Sequence, residues 1–218
     1  QYMVILSGSD KNIFNRKNII KWNKKDPLKV VTHHWGANWN KGFAIYSKLD
    51  ELLNKNDWKS KIEFMYIGNL PKGYKFKNTN LVKPLSGSSL SAKIKENHVY
   101  VTGSLFEPSG NHHIEASQCG LPVMYVNSGG TPEYCKDFGI EIDESNLESK
   151  LSEIILNYDF YISKVKNYPF NSNKMCYEYE NLFLEMFTKK NQILSDRDLK
   201  LNGNFIERYF FSYKRNKK

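Results

Sequence analysis

The sequence predicts an α/β fold, a parallel sheet flanked by helices with extra helices toward its C-terminal end. Three observations predict it. Short apolar runs recur along the chain, at KVVTHH (29–34), IEFMYIGN (62–69), HVYVTGS (98–104) and PVMYV (122–126), and read as buried strands. Apolar residues at helical spacing follow the first of them: Phe43, Ile45, Leu49, Leu52 and Leu53. Two glycine loops, around Gly110 and around Gly129 and Gly130, stand at strand ends, where open α/β sheets place their ligands.

Each element follows in order. Residues 1–28 read as a linker: YMVIL, then Ser7-Gly8-Ser9-Asp10, Phe14 and a charged stretch, RKNIIKWNKKDPLK. The strand at 29–34 leaves through WGANWNKG (35–42) into a helix over 43–53. The strand at 62–69 runs into a turn ending at Gly73. A short third strand, TNLVKP (79–84), precedes a polar helix over 86–97 that is weakly amphipathic through Leu90 and Ile94. In HVYVTGS, Tyr100 and Thr102 dilute the apolar run. Pro108, Ser109 and Gly110 break the extended pattern, and a helix starts near Asn111 as its N-cap and stops at Gly120 and Pro122. PVMYV leads into Asn127–Glu133, with Pro132 suited to a first helical turn. GIEID (139–143) is the last strand. Leu147, Leu151, Ile154, Ile155, Tyr158 and Ile162 predict one helix over 146–166. After Pro169, Asn171 or Ser172 caps a helix with Met175, Tyr179, Leu182 and Met186 on one face, a packing face rather than a chemical one.

The chemistry concentrates between Gly103 and Glu133. A helix start presents unsatisfied N–H groups and a positive dipole end, so the backbone at Gly110, Asn111 and His112 suits an anion such as a diphosphate. Glu107 and Glu115, with seven residues between them, would repel that anion. They should face its hydroxyl-bearing ends, because a carboxylate accepts two hydrogen bonds from a vicinal diol. Either glycine loop alone is an ordinary βα turn. Together with the carboxylate spacing they favour a nucleotide-sugar site.

The stretch Glu107-Pro108-Ser109-Gly110-Asn111-His112-His113-Ile114-Glu115-Ala116, with Gly120-Leu121-Pro122-Val123 and Gly129-Gly130-Thr131-Pro132-Glu133, resembles the donor-binding C-terminal domain of GT-B fold glycosyltransferases. Within these it is most similar to the retaining family 4, the group 1 glycosyltransferases, over residues 5–188. The resemblance implies a Rossmann-like sheet, with Glu107 beside the donor sugar and Glu115 on the ribose hydroxyls. It places the amides around Gly110 and those of Gly129, Gly130 and Thr131 about the sugar and diphosphate. Asn40-Lys41-Gly42 matches the family's Lys-Gly step, which implies that Lys41, with Asn40 beside it, meets the diphosphate. A compact cation there offsets charge growing on the leaving group. The bland alternative for Lys41 is a solvated loop lysine. Pro84 and Leu85 are implied beside the base. Ser7-Gly8-Ser9-Asp10 matches the family's interdomain Asn-Gly-Val-Asp only in part.

One departure stands out. Many members carry an arginine five residues before the lysine, where this chain has Gly36. A nearby histidine, Asn38 or Asn40 then supplements the phosphate contact, or the phosphate is held less strongly. His33 and His34 lack a third ligand at metal spacing, so no metal is expected, nor any cofactor besides the nucleotide diphosphate sugar as donor substrate. Whole enzymes of the family have two Rossmann-like domains, and 218 residues suffice for one. The chain is therefore expected to be a C-terminal part lacking an N-terminal acceptor domain, and to bind donor weakly and transfer little by itself.

A net charge of +9 suits an anionic donor, an anionic membrane or nucleic acid. No nucleic-acid motif or aromatic–basic platform appears in the body of the chain, so nucleic acid is not an expected partner. Cys119, Cys135 and Cys176 have no metal spacing and leave one over, which points to a reducing, cytoplasmic compartment. Residues 189–218 have no counterpart in the family pattern. There Phe205, Tyr209, Phe210, Phe211 and Tyr213 sit beside Arg208, Lys214, Arg215, Lys217 and Lys218. Such a segment suits peripheral contact of 203–218 with a membrane, packing on another domain, or an ordinary amphipathic helix. Paired carboxylates also suit glycoside hydrolysis, but here both lie on one βα unit. A GT-B epimerase and a non-catalytic binding or docking module remain alternatives. A phosphorylase would need a pyridoxal-phosphate lysine pattern, which is not evident.

Overall fold

The computed structural model describes residues 3–196, so the basic aromatic stretch 203–218 lies outside the described residues. The chain divides after Cys176 into a sheet unit and a second unit beginning at Tyr177.

The sheet unit carries β1 (Leu28–His34), β2 (Ile62–Gly68), β3 (Asn80–Val82), β4 (Val99–Thr102), β5 (Val123–Val126) and β6 (Gly139–Ile142). All pair in parallel, in the order β3-β2-β1-β4-β5-β6. Val30 lies opposite Phe64 on one side and Val99 on the other, which fixes the register at the centre. The order reverses between β1 and β4, and that point positions the site.

Strand side chains alternate between two cores, as a period of two requires. Val30, Phe64, Val99, Val101 and Met124 face one core with Phe43, Tyr46 and Leu49 of α1 (Phe43–Leu52). Trp58 of α2 (Asn56–Lys59) joins it. Val31, Ile67, Tyr100, Val123 and Tyr125 face the other with Leu90 and Ile94 of α3 (Gly87–Lys95), Ile114 of α4 (Asn111–Gln118) and Tyr134 of α5 (Thr131–Cys135). Burial on both faces explains why these strands read as apolar runs. This is a parallel Rossmann-like sheet flanked by helices, as the sequence predicts.

Two local readings change. Gly110 occupies the N-cap of α4, and Asn111 is its first helical residue. The predicted helix over 146–166 is two helices, α6 (Leu147–Leu156) and α7 (Tyr158–Val165), parted by Asn157 at φ −112°, ψ 26°. The Asn157 backbone N–H and its side-chain amide both donate to Glu153 O at 3.0 Å. Tyr158 and Tyr161 still face the core of α6, so the apolar spacing runs through the break.

At the other end of α4, Gly120 takes φ 94°, and the N–H groups of Gly120 and Leu121 bond Ser117 O and Ala116 O. That pairing closes the helix and turns the chain into β5. Asn171 Oδ1 accepts the Lys174 N–H at 3.1 Å and so caps α8 (Ser172–Thr188). From Tyr177 the described chain is the rest of α8 and then α9 (Lys190–Asp196), with Tyr177, Phe183 and Phe187 exposed. No described helix is long and apolar enough to cross a membrane.

Candidate functional site

The site is built where β1 and β4 part. Beyond β1, residues 35–42 form a loop with a 3-10 turn at Trp39–Lys41, ended by Gly42 at φ 104°. A side chain at Gly42 would reach the Gly103 backbone at 2.7 Å, so the loops after β1 and β4 lie backbone to backbone. The Leu105 N–H donates to Asn40 O at 2.8 Å and the Gly103 N–H to the Tyr46 hydroxyl at 3.2 Å, which locks them together. The Asn40 carbonyl is thus engaged inside the protein.

This packing brings Lys41 Nζ to 2.6 Å from Glu107 Oε2, both largely shielded from solvent. The lysine stem passes over Gly36, where a Cβ would lie 3.3 Å from Lys41 Cε. Any larger residue at 36 would crowd the lysine's present path.

The loop after β4 is tight. Phe106 takes φ 55° with its ring exposed. The second loop closes over this one. A Cβ on Gly129, at φ 61°, would collide with the Glu107 carbonyl, and one on Gly130 with that of Pro108. The Gly130 N–H donates to Glu107 O at 2.8 Å, and the Phe106 N–H to Ser128 Oγ at 2.8 Å. These glycines are therefore required by loop-on-loop packing, and the Gly130 amide already has a protein partner. Thr131 is buried, its N–H 3.4 Å from Ser128 O.

Glu115, on α4, meets His33 of β1, with Oε2 and Nε2 2.9 Å apart. Behind this pair lies a group of rings that the sequence did not bring together: His33, His34, His112 and His113. His34 Nε2 is 2.6 Å from the Tyr46 hydroxyl, and His112 Nε2 is 2.9 Å from Thr102 Oγ1. The rings of His34 and His112 lie 4.6 Å apart. Burial, then neighbouring histidines and Lys41, hold the pKa values of His34 and His112 well below the ordinary imidazole value. Burial, then His33, lowers that of His113 to about 3. All three rings are therefore neutral at pH 7. The only sequence signal was two His-His pairs, at a strand end and at a helix start. Among the described residues no three His, Cys, Asp or Glu side chains, these histidines included, are arranged so that they could hold a metal ion.

Asn111 is exposed and the His112 ring buried at the head of α4. Pro84 and Leu85 are half-buried in the segment after β3, where Leu85 packs on the second core. Because the sheet is parallel, that segment leaves the same edge as the loops carrying Lys41 and Glu107. The arrangement gathers one cation, two carboxylates and a helix N-terminus beyond the C-terminal ends of β1 and β4. It can hold an anion at the helix start and hydroxyl groups at the carboxylates.

No family model matches the chain, and no curated protein does. Solved structures are similar over most of its length. Sucrose-phosphate synthase of Thermosynechococcus elongatus is 16% identical with a TM-score of 0.63, covering 86% of this chain and 53% of its own. HepE of Anabaena, solved with UDP and glucose, is 13% identical with a TM-score of 0.64, covering 83% of this chain and 56% of its own. The C-terminal domain of a glycosyl transferase group 1 family protein of Francisella tularensis is 15% identical with a TM-score of 0.56, covering 79% of this chain and 98% of its own. The chain thus spans about half of the first two and nearly all of the third. At these identities the likeness establishes the fold, that of a GT-B C-terminal domain.

Proposed function

We propose that this chain is the donor-binding part of a glycosyltransferase that moves a sugar from a nucleotide diphosphate sugar to an acceptor hydroxyl. One observation carries the reading. Lys41 and Glu107 come from two different loops and meet at the strand-order reversal, where sheets of this type bind nucleotides. In this reading the diphosphate lies against the N-terminus of α4 and takes Lys41 as its counter-ion. Glu107 then faces the sugar, and Glu115 accepts the ribose hydroxyls. Pro84 and Leu85 lie on the base side. With Gly130 and Thr131 N–H groups engaged within the protein, the amides around Gly110 and Asn111 carry the larger share of anion binding.

The bond from the anomeric carbon to the diphosphate oxygen breaks, and the acceptor oxygen replaces it. The acceptor proton leaves to the diphosphate or to water. Retention and membership of the group 1 glycosyltransferases rest on the sequence resemblance. So does the expectation that a second domain supplies the acceptor site, which fits a chain spanning about half of two structures it resembles. With Gly36 in place of an arginine, Lys41 is the main charge opposing the diphosphate, and binding by this chain is expected to be weak.

Titration of the chain with UDP, GDP and ADP to millimolar concentration tests this. UDP comes first because HepE was solved with it. Binding of one nucleotide, weakened about tenfold or more by Glu115→Ala, is the expected result. No binding of any of them would overturn the reading.

A further inference from the structure

We propose that His33 is a positioning residue that holds the Glu115 carboxylate and thereby sets the site's preference for a ribose diol. This rests on the donor-site reading above.

The His33 ring has little freedom. Its backbone N–H donates to the Tyr100 hydroxyl at 3.1 Å, and that hydroxyl lies 3.3 Å from His33 O. The ring stands edge-on to Tyr100, with centroids 5.5 Å apart, and to His112 at 6.3 Å. The side chain is 7% exposed against 19% for Glu115. A carboxylate only accepts, so Nε2, 2.9 Å from Oε2, is the donor. The other ring nitrogen, Nδ1, is buried without a hydrogen-bond partner. An apolar side chain would fill this strand position without that penalty, so packing does not account for the histidine. What the ring supplies is one N–H aimed at one carboxylate oxygen. A glutamate side chain turns about three bonds, and this contact removes most of that freedom while leaving Oε1 for a hydroxyl pair. Pre-orientation of this kind appears as selectivity for the diol rather than as affinity for phosphate.

The test compares the nucleotide that binds with its 2′,3′-dideoxy form, titrated at up to millimolar concentration. The native chain is expected to prefer the ribonucleotide about tenfold or more. In His33→Leu that ratio falls to about twofold. His33→Gln, which offers an N–H near the Nε2 position, keeps most of the ratio. In a Glu115→Gln background, adding His33→Leu changes the ratio no further. An unchanged ratio in His33→Leu, or its equal loss in His33→Gln, would overturn the proposal. Should His33→Leu not fold, His33→Phe carries the same expectation. If the native chain binds both nucleotide forms alike, the role of Glu115 fails and that of His33 with it. Binding of no nucleotide overturns the donor-site reading itself.

Discussion

Lys41 Nζ on the loop after β1 and Glu107 Oε2 on the loop after β4 lie 2.6 Å apart. A diphosphate that uses Lys41 has to take it from this carboxylate, and Glu107 repels the incoming anion as well. The two side chains should therefore act in opposite directions on the bare nucleotide. Lys41→Met is expected to weaken nucleoside diphosphate binding about tenfold, and Glu107→Gln to strengthen it about threefold. Binding of the nucleotide sugar and its transfer should fall in both. Titration with the nucleoside diphosphate and with its sugar separates these effects. Equal weakening of the bare nucleotide in both variants would show that the pair does not compete with phosphate.

A second carboxylate ties distant segments together. Asp50 of α1 is 5% exposed and accepts the N–H groups of Lys77, Asn78 and Thr79 and the Thr79 hydroxyl at 2.6–2.9 Å. Burial pushes its pKa up, but these four donors prevail and hold it below the ordinary value. Its contribution is therefore present above the unfolded carboxyl value of about 3.9 and lost as pH falls through the folded value. Asp50→Asn should cost about 2 kcal/mol at pH 7 by urea unfolding. The difference from the native chain should shrink below about pH 4. A constant difference would mean that the aspartate's charge is not what the donors hold.

The sheet was legible because its strands are buried on both faces, and Val30 and Val31 can be apolar together only when each face has a core. Other features were not legible, for particular reasons. Asn157 interrupts a helix while Tyr158 and Tyr161 keep the apolar spacing, so the pattern conceals the break. Gly129 and Gly130 read as room for a ligand, yet what approaches them is the backbone of Glu107 and Pro108. Sequence cannot distinguish one close approach from the other. Two His-His pairs are compatible with phosphate binding, metal binding or burial, and only the pairing of β1 beside β4 brings His33 against Glu115 on the next helix. Asp50 and its partners are 27–29 residues apart, beyond any local pattern.

Phe106 holds a left-handed backbone, φ 55°, with 78% of its surface exposed. A bulky L-residue is strained there, and glycine is not. Its N–H bond to Ser128 Oγ does not depend on the side chain. Phe106→Gly is therefore expected to stabilise the fold by about 1 kcal/mol, after allowing for the greater freedom of glycine in the unfolded chain. The melting temperature should rise by about 2–4 °C. A lower one would show that the exposed ring packs more than it strains. If the ring also borders the donor sugar, the same variant loses transfer while gaining stability.

The buried histidines set the acid limit of the fold. Burial, then neighbouring histidines and Lys41, hold His34 and His112 well below 6.5. Burial, then His33, lowers His113 to about 3, and burial, then Lys29, lowers His98 to about 4, with Asp26 opposing. Each ring stays neutral in the folded chain but takes up a proton near pH 6.5 once unfolded. The unfolded state then binds more protons, so stability is fully present above about pH 6.5 and declines as pH falls toward the folded values. Between about pH 5.5 and its folded value each such ring contributes about 1.4 kcal/mol per pH unit, and the four together up to about 5.6. Acid unfolding should begin at about pH 5–6, before ordinary carboxylates protonate. His98 offers a check, because its Nδ1 accepts the Lys29 N–H at 2.9 Å and protonation breaks that bond. In His98→Asn the side-chain oxygen can accept the same N–H without titrating. The unfolding free energy from urea titrations should therefore fall by about 2 kcal/mol less in the variant between pH 7.5 and 5, the difference building below about pH 6.5. Equal falls would mean that His98 is charged in the folded protein, or that its bond to Lys29 does not form.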